Sequence, residues 1–206
     1  MIWYRTVSEI SLLAGCLAAC WHLVKYFRSG APRDFSRRRG DTASAVFYSF
    51  TGAMNPAKKE SALLHLPTYT AGVLYHLGTF ASLLLYALFL LRLEPRGIVL
   101  WGFASLLCAS SLSGAGMLVK RIAVRRLRSL STPDDFVSNM LVTLFQLFSL
   151  GMLTGISCAP EYYLAVSALL LYAPAGKLKH ALYFFAARYQ LGVFNGWRGV
   201  WPAGKY

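Results

Sequence analysis

The sequence predicts an all-α integral membrane protein, a bundle of five transmembrane helices with the N-terminus outside and the C-terminus cytoplasmic. Three observations lead there. Of 206 residues, 56% are hydrophobic and 14% charged, against about 25% charged in an ordinary soluble domain. The apolar residues gather in long uncharged runs, the pattern that a hydrocarbon solvent demands. The basic residues, which set a formal net charge of +13, sit between those runs and fall mostly on one side of the membrane.

The elements follow in order. Helix one is expected over 7–27, around the apolar run Ile10 to Val24, with Arg5 and Glu9 one turn apart and able to pair at its outer end. Leu17-Ala18-Ala19-Cys20 resembles a lipoprotein cleavage site, but Arg5 is offset by Glu9, so the segment is expected to stay as a span. A cytoplasmic loop over 28–65 opens with the turn residues Ser29-Gly30-Ala31-Pro32. Helix two, 66–92, lies in a stretch between Glu60 and Arg92 that holds no other acidic residue, lysine or arginine.

Helix three, 97–119, carries Ser110, Ser111, Ser113, Gly114 and Gly116, small residues that let another helix approach closely. Ser131-Thr132-Pro133-Asp134-Asp135 reads as the N-cap and acidic first turn of helix four, 136–157. Helix five is uncharged only from Tyr162 to Gly176, slightly short for a span. Because lysines snorkel, it is extended through Lys177-Leu178-Lys179-His180 to cover 161–182. A cytoplasmic tail, 183–206, completes a single transmembrane domain.

Orientation follows from the basic residues. Lys25, Arg28, Arg33, Arg37, Arg38, Arg39, Lys58 and Lys59 lie between helices one and two. Lys120, Arg121, Arg125, Arg126 and Arg128 lie between three and four, and Lys177, Lys179, Arg188, Arg198 and Lys205 in the tail. The other side has only Arg5, Arg92 and Arg96, so the richer side is cytoplasmic.

The same distribution argues against nucleic acid, which would need one basic stripe. Cys16, Cys20, Cys108 and Cys158 form no C-x-x-C pair, so neither an iron–sulfur cluster nor structural zinc is expected. No carboxylate lies in mid-membrane, which argues against a proton- or sodium-coupled transporter.

Chemistry rests on the four histidines, His22, His65, His76 and His180. His65 and His76 are eleven residues apart, about three turns plus 20°, and so share one helix face. Pro67 is expected to kink the helix or start it just past His65. Helix two enters from the cytoplasm and helix five returns to it, which puts His65 and His180 at similar depth. A haem iron takes two protein ligands from opposite faces, so these two form a bis-histidine pair for haem b. His76 is a further ligand candidate nearer mid-membrane, without a partner on helix five, so one haem is expected rather than two. His22 is a packing residue or a reserve ligand. In the tail, Arg188-Tyr189-Gln190 and Trp197 to Pro202 either dock a partner or anchor at the interface.

These stretches resemble a family. Ser61-Ala62-Leu63-Leu64-His65 and Leu74-Tyr75-His76-Leu77-Gly78 look like the helix-two histidine pair of the cytochrome b (gamma) subunit of respiratory nitrate reductase. The relatives of that subunit include the haem subunits of heterodisulfide-reductase-like and sulfite-reduction-associated complexes. Lys177-Leu178-Lys179-His180, followed by Ala187-Arg188-Tyr189-Gln190-Leu191, looks like the end of helix five. The family has a further helix-five histidine several turns earlier, where this chain has Tyr162 or Tyr163.

The resemblance implies a prokaryotic inner-membrane, multi-pass subunit. It would carry electrons between membrane quinone (menaquinone or ubiquinone) and a cytoplasmic iron–sulfur subunit, with no catalytic centre beyond quinol oxidation or quinone reduction. The basic loops would dock that subunit, and Tyr69, Tyr75 and His76 are candidate quinone contacts. The alternative is a haem-free membrane anchor of a peripheral oxidoreductase.

Overall fold

The computed structural model describes residues 3–30, 35–58, 64–156 and 158–202. Ala31, Pro32, Arg33, Lys59 to Leu63 and Lys205, invoked above, lie outside them. The described residues are helical, with no strand among them. The helices are α1 (Trp3–Arg28), α2 (Thr42–Phe50), α3 (Leu66–Leu90), α4 (Gly97–Ala123), α5 (Arg125–Ser129), α6 (Pro133–Leu153), α7 (Ala159–Tyr172) and α8 (His180–Trp197), with short 3-10 turns at Gly52–Met54, Pro56–Lys58 and Lys177–Lys179.

Four of these, α1, α3, α4 and α6, are long and apolar enough to cross a membrane. Their ends follow the expected chemistry. Gly30, at φ +74°, closes α1. Asp135 accepts hydrogen bonds from the Thr132 backbone N–H (2.9 Å) and hydroxyl (3.0 Å), fixing the start of α6 three residues before the expected one. Gly155, at φ +80°, ends α6 early. The Ile156 N–H reaches back to the Gly151 carbonyl at 2.9 Å and the Gly155 N–H to that of Met152, the pattern that closes a helix with a left-handed residue. Arg92, at φ +59°, does the same for α3 without glycine's freedom.

The fifth helix departs from expectation. Instead of running over 161–182, α7 stops at Tyr172 after 14 residues. Pro174 lacks the N–H that would continue the ladder, and the Ala175 and Gly176 N–H groups turn back onto the Tyr172 carbonyl. His180 is therefore the first residue of a new helix rather than part of the end of a span.

The chain divides into two compact units, residues 1–18 with 67–178 and residues 19–66 with 179–206. The first unit is built around an aromatic cluster of Tyr86, Phe145, Tyr162 and Tyr163 with Val142, Val166 and Leu169. Phe145 stacks on Tyr162 and Tyr4 on Tyr163. Arg5 pairs with Glu9 at 3.0 Å, as expected, and its guanidinium also caps α3 through the Leu90 carbonyl at 2.6 Å. At the other end of α6, Asp134 accepts from the Tyr172 hydroxyl and from the Lys177 N–H (2.8 Å), while Asp135 holds Lys177 at 2.7 Å and Arg121 at 3.3 Å.

In the second unit, residues 28–65 and 183–206 were expected as loop and tail. They instead supply a packed helix pair, α2 with α8. Asp41 caps α2 through the Ala43 and Ser44 N–H groups. Gly192 and Gly196 of α8 let its backbone lie against Val46, Ala45 and Thr42 of α2, where a Cβ would clash. The Ser49 hydroxyl donates to the Arg188 carbonyl at 2.7 Å, and the Trp197 indole to that of Ser36 at 2.8 Å.

Candidate functional site

In the first unit, α3 turns two different faces outward and inward. Gly78, Ser82, Leu85 and Tyr86 are buried against the bundle. Tyr75, at the head of that face, sets its hydroxyl 2.9 Å from the Asn139 carbonyl and 3.1 Å from the Thr143 hydroxyl. Gln146 of α6, fully buried, completes the join. Its amide donates to the Tyr75 carbonyl (3.0 Å) and the Thr79 hydroxyl (2.9 Å), and its carbonyl oxygen accepts from Ser110 of α4 (2.8 Å). Gly78 and Gly114 admit these side chains where a Cβ would meet Ser110 or Tyr75. The small residues expected to draw helices together on α4 do so at Ser110, Ser111 and Gly114, which are buried; Gly116 is exposed.

A second stripe of α3 lies about 120° around the helix from that packed face. It reads Tyr69, Gly72, His76, at steps of three and four residues. Pro67 starts the helix rather than kinking it, so His65 is the turn residue just before α3. His65 and His76 are exposed and Tyr69 is half-buried. A Cβ at Gly72 would have open space among the described residues, so the stripe carries a notch between Tyr69 and His76. Its carbonyl lies 2.7 Å from His76 Nδ1. In the tautomer that donates from Nδ1, the lone pair sits on Nε2, the arrangement used by metal-ligating imidazoles. Val73, Leu77 and Phe80 surround His76 on the exposed side, so the imidazole stands on an apolar face of a spanning helix.

The remaining histidines belong to the second unit. His180 opens α8 and is exposed. His22 is half-buried, its Nδ1 3.2 Å from the hydroxyl of Tyr183, one turn past His180, and its ring edge-on to Tyr183. That gives His22 a packing partner. His65 also falls in this unit, so the two expected haem ligands share one compact unit while His76 belongs to the other.

His65 and His180 are exposed imidazoles, the ligand type that haem b takes. For a second haem, helix five offers no further histidine. The position that would need a helix-five histidine holds Tyr162 and Tyr163, 0% and 6% exposed and close-packed in the aromatic core. Among the described residues no group of three or more His, Cys, Asp or Glu side chains is placed to bind a metal ion. Of the three expected quinone contacts, Tyr75 has its hydroxyl bonded to Asn139 and Thr143 inside the bundle, and Tyr69 and His76 lie on the outer stripe.

Gln146 and the α2–α8 pair were missed from the sequence. Gln146 had a signal, a lone amide in the apolar run of helix four. So did the pair, through Gly192 and Gly196 spaced four apart. The tail residues Trp197 and Arg198 turn onto their own chain, Arg198 lying 3.7 Å over the Phe194 ring. Comparison of the chain with protein-family models, curated proteins and solved structures finds no match.

Proposed function

We propose that this chain is a multi-pass cytochrome b subunit of the prokaryotic inner membrane. It carries electrons between the quinone pool and a cytoplasmic iron–sulfur partner subunit, using one haem b held by His65 and His180. The observation that carries the reading is the α3 stripe Tyr69, Gly72, His76, kept out of the packed core of a spanning helix, with His65 in the turn just before that helix. Polar and ionisable groups in such a position are costly in lipid unless they serve a cofactor, a pathway or a partner.

Haem b supplies reversible one-electron transfer when bound. The chain's own part is to present the imidazoles and to handle protons. His76, oriented by the Gly72 carbonyl, and the Tyr69 hydroxyl are the groups for a quinone headgroup, with His76 Nε2 able to accept a proton from the quinol. Five crossings bring the N-terminus outside and the C-terminus to the cytoplasm. In that count α7 is the short fifth crossing, about 21 Å of helix. The basic residues between α1 and α3 and in the tail dock the iron–sulfur subunit through complementary charge.

Menadiol added to the reconstituted chain under anaerobic conditions tests this. Haem-band reduction is expected, and His76→Ala should slow it at least tenfold while haem content stays unchanged. Haem that no quinol reduces would refute the conduit.

A further inference from the structure

We infer that the segment after α4 is a binding site for anionic phospholipid, with Arg125, Arg126 and Arg128 of α5 holding the phosphate headgroups. The site is independent of the haem reading. It rests on what the basic residues near it already hold. Lys120 donates to the Thr68 hydroxyl at 3.0 Å, and Arg121 is engaged by Ser131 and Asp135. The three arginines of α5 are exposed and make no side-chain hydrogen bond or ion pair among the described residues. The carboxylates at the start of α6 are already occupied, Asp135 by Lys177 and Arg121, and Asp134 by Tyr172 and the Lys177 N–H.

Exposed apolar side chains run through the same segment: Ile122 (50%), Leu127 (36%) and Leu130 (76%). An acidic protein surface would satisfy the arginines and leave the leucines wet. A bilayer interface takes both, guanidinium groups to phosphate and leucines to the acyl boundary. Position argues the same way. α4 runs uncharged from Gly97 to Val119, Val124 breaks the helix with an extended backbone, and α5 begins immediately after. Its five residues extend only about 7 Å, which keeps the arginines in reach of headgroups. Arginine's planar fork suits a phosphodiester better than a point charge would.

The test uses the full chain in nanodiscs of phosphatidylglycerol and phosphatidylcholine, extracted into detergent, with the lipids that remain bound quantified. The wild-type chain should retain phosphatidylglycerol preferentially, with each arginine contributing up to about fivefold. Arg125→Gln/Arg126→Gln/Arg128→Gln should lower the bound ratio at least fivefold, whereas Lys25→Gln/Arg28→Gln should leave it within twofold. An unchanged ratio in the triple variant would overturn the site and leave the arginines to an acidic protein partner. An equal fall in the control pair would overturn it as well, by reducing it to general charge. Should the triple variant misfold, the wild-type chain still decides. Raising salt from about 0.05 M to about 0.5 M shortens screening to a few ångströms and should release the lipid, and retention unaffected by salt would contradict the proposal.

Discussion

Replacing Gln146 by leucine removes the polar join of α3, α4 and α6 while keeping most of its volume. Three hydrogen bonds are lost, at 3.0, 2.9 and 2.8 Å, and all of them tie α6 to another helix. Hydrogen bonds between membrane helices average about 0.6 kcal/mol and reach about 1.7. Three therefore predict a loss of roughly 2 kcal/mol, rising toward 5 if each is at the upper end. Not all partners are stranded, since the Thr79 hydroxyl also donates to the Tyr75 carbonyl at 2.8 Å, so the lower figure is expected. Unfolding in mixed detergent micelles, followed by loss of helical circular dichroism, reads the difference. A cycle with Ser110→Ala should return a coupling of about 0.6 to 1.7 kcal/mol. A Gln146→Leu variant as stable as the parent, or zero coupling, would refute the claim that this network holds the unit together.

Further outcomes follow from other contacts. Gly192→Val drives a side chain into Val46 of α2 and should cost about 1–3 kcal/mol, seen as faster proteolysis within residues 35–58. Asp135→Asn weakens the α6 cap and two ion pairs together and should cost about 1–2 kcal/mol, whereas Lys177→Met removes one half-exposed partner and should cost below about 1 kcal/mol, both read by the same unfolding assay. Burial, and secondarily the Glu161 carboxylate, push the Cys158 thiol up. Since the thiolate is the reactive form, maleimide labelling of Cys158 should have its pH midpoint above the ordinary thiol value near 8.5, with Glu161→Gln lowering it slightly. A midpoint at or below 8.5 would contradict that burial.

Much of the framework was legible from residues. Uncharged runs predicted α1, α3, α4 and α6 because lipid leaves no other way to satisfy a backbone. Gly30, Thr132 with Asp135, and the Arg5–Glu9 pair marked ends by local chemistry, which needs no tertiary information. The break after Tyr172 was also local, since Pro174 stands in the sequence, but snorkelling lysines offered a competing account that kept the helix whole. The pairing of α2 with α8 was not legible in the same way. It joins segments about 150 residues apart through close glycine contacts, and α2, at nine residues, is too short to show a strong period. For the site, helical spacing put His65 and His76 on one helix face, whereas the structure has His76 on α3 and His65 in the turn before it. Spacing also could not show that Tyr75, one residue from His76, turns into the bundle and bonds to Asn139.

The central claim is haem held by His65 and His180. The most direct measurement is a reduced-minus-oxidised absorption spectrum of the chain purified in mild detergent, with haem and protein quantified. The account predicts a bis-histidine b-type spectrum at one haem per chain, lost in His180→Ala and in His65→Ala and kept in His22→Ala. A well-folded preparation without haem would contradict it. So would two haems per chain, since the account gives His76 no partner histidine on helix five.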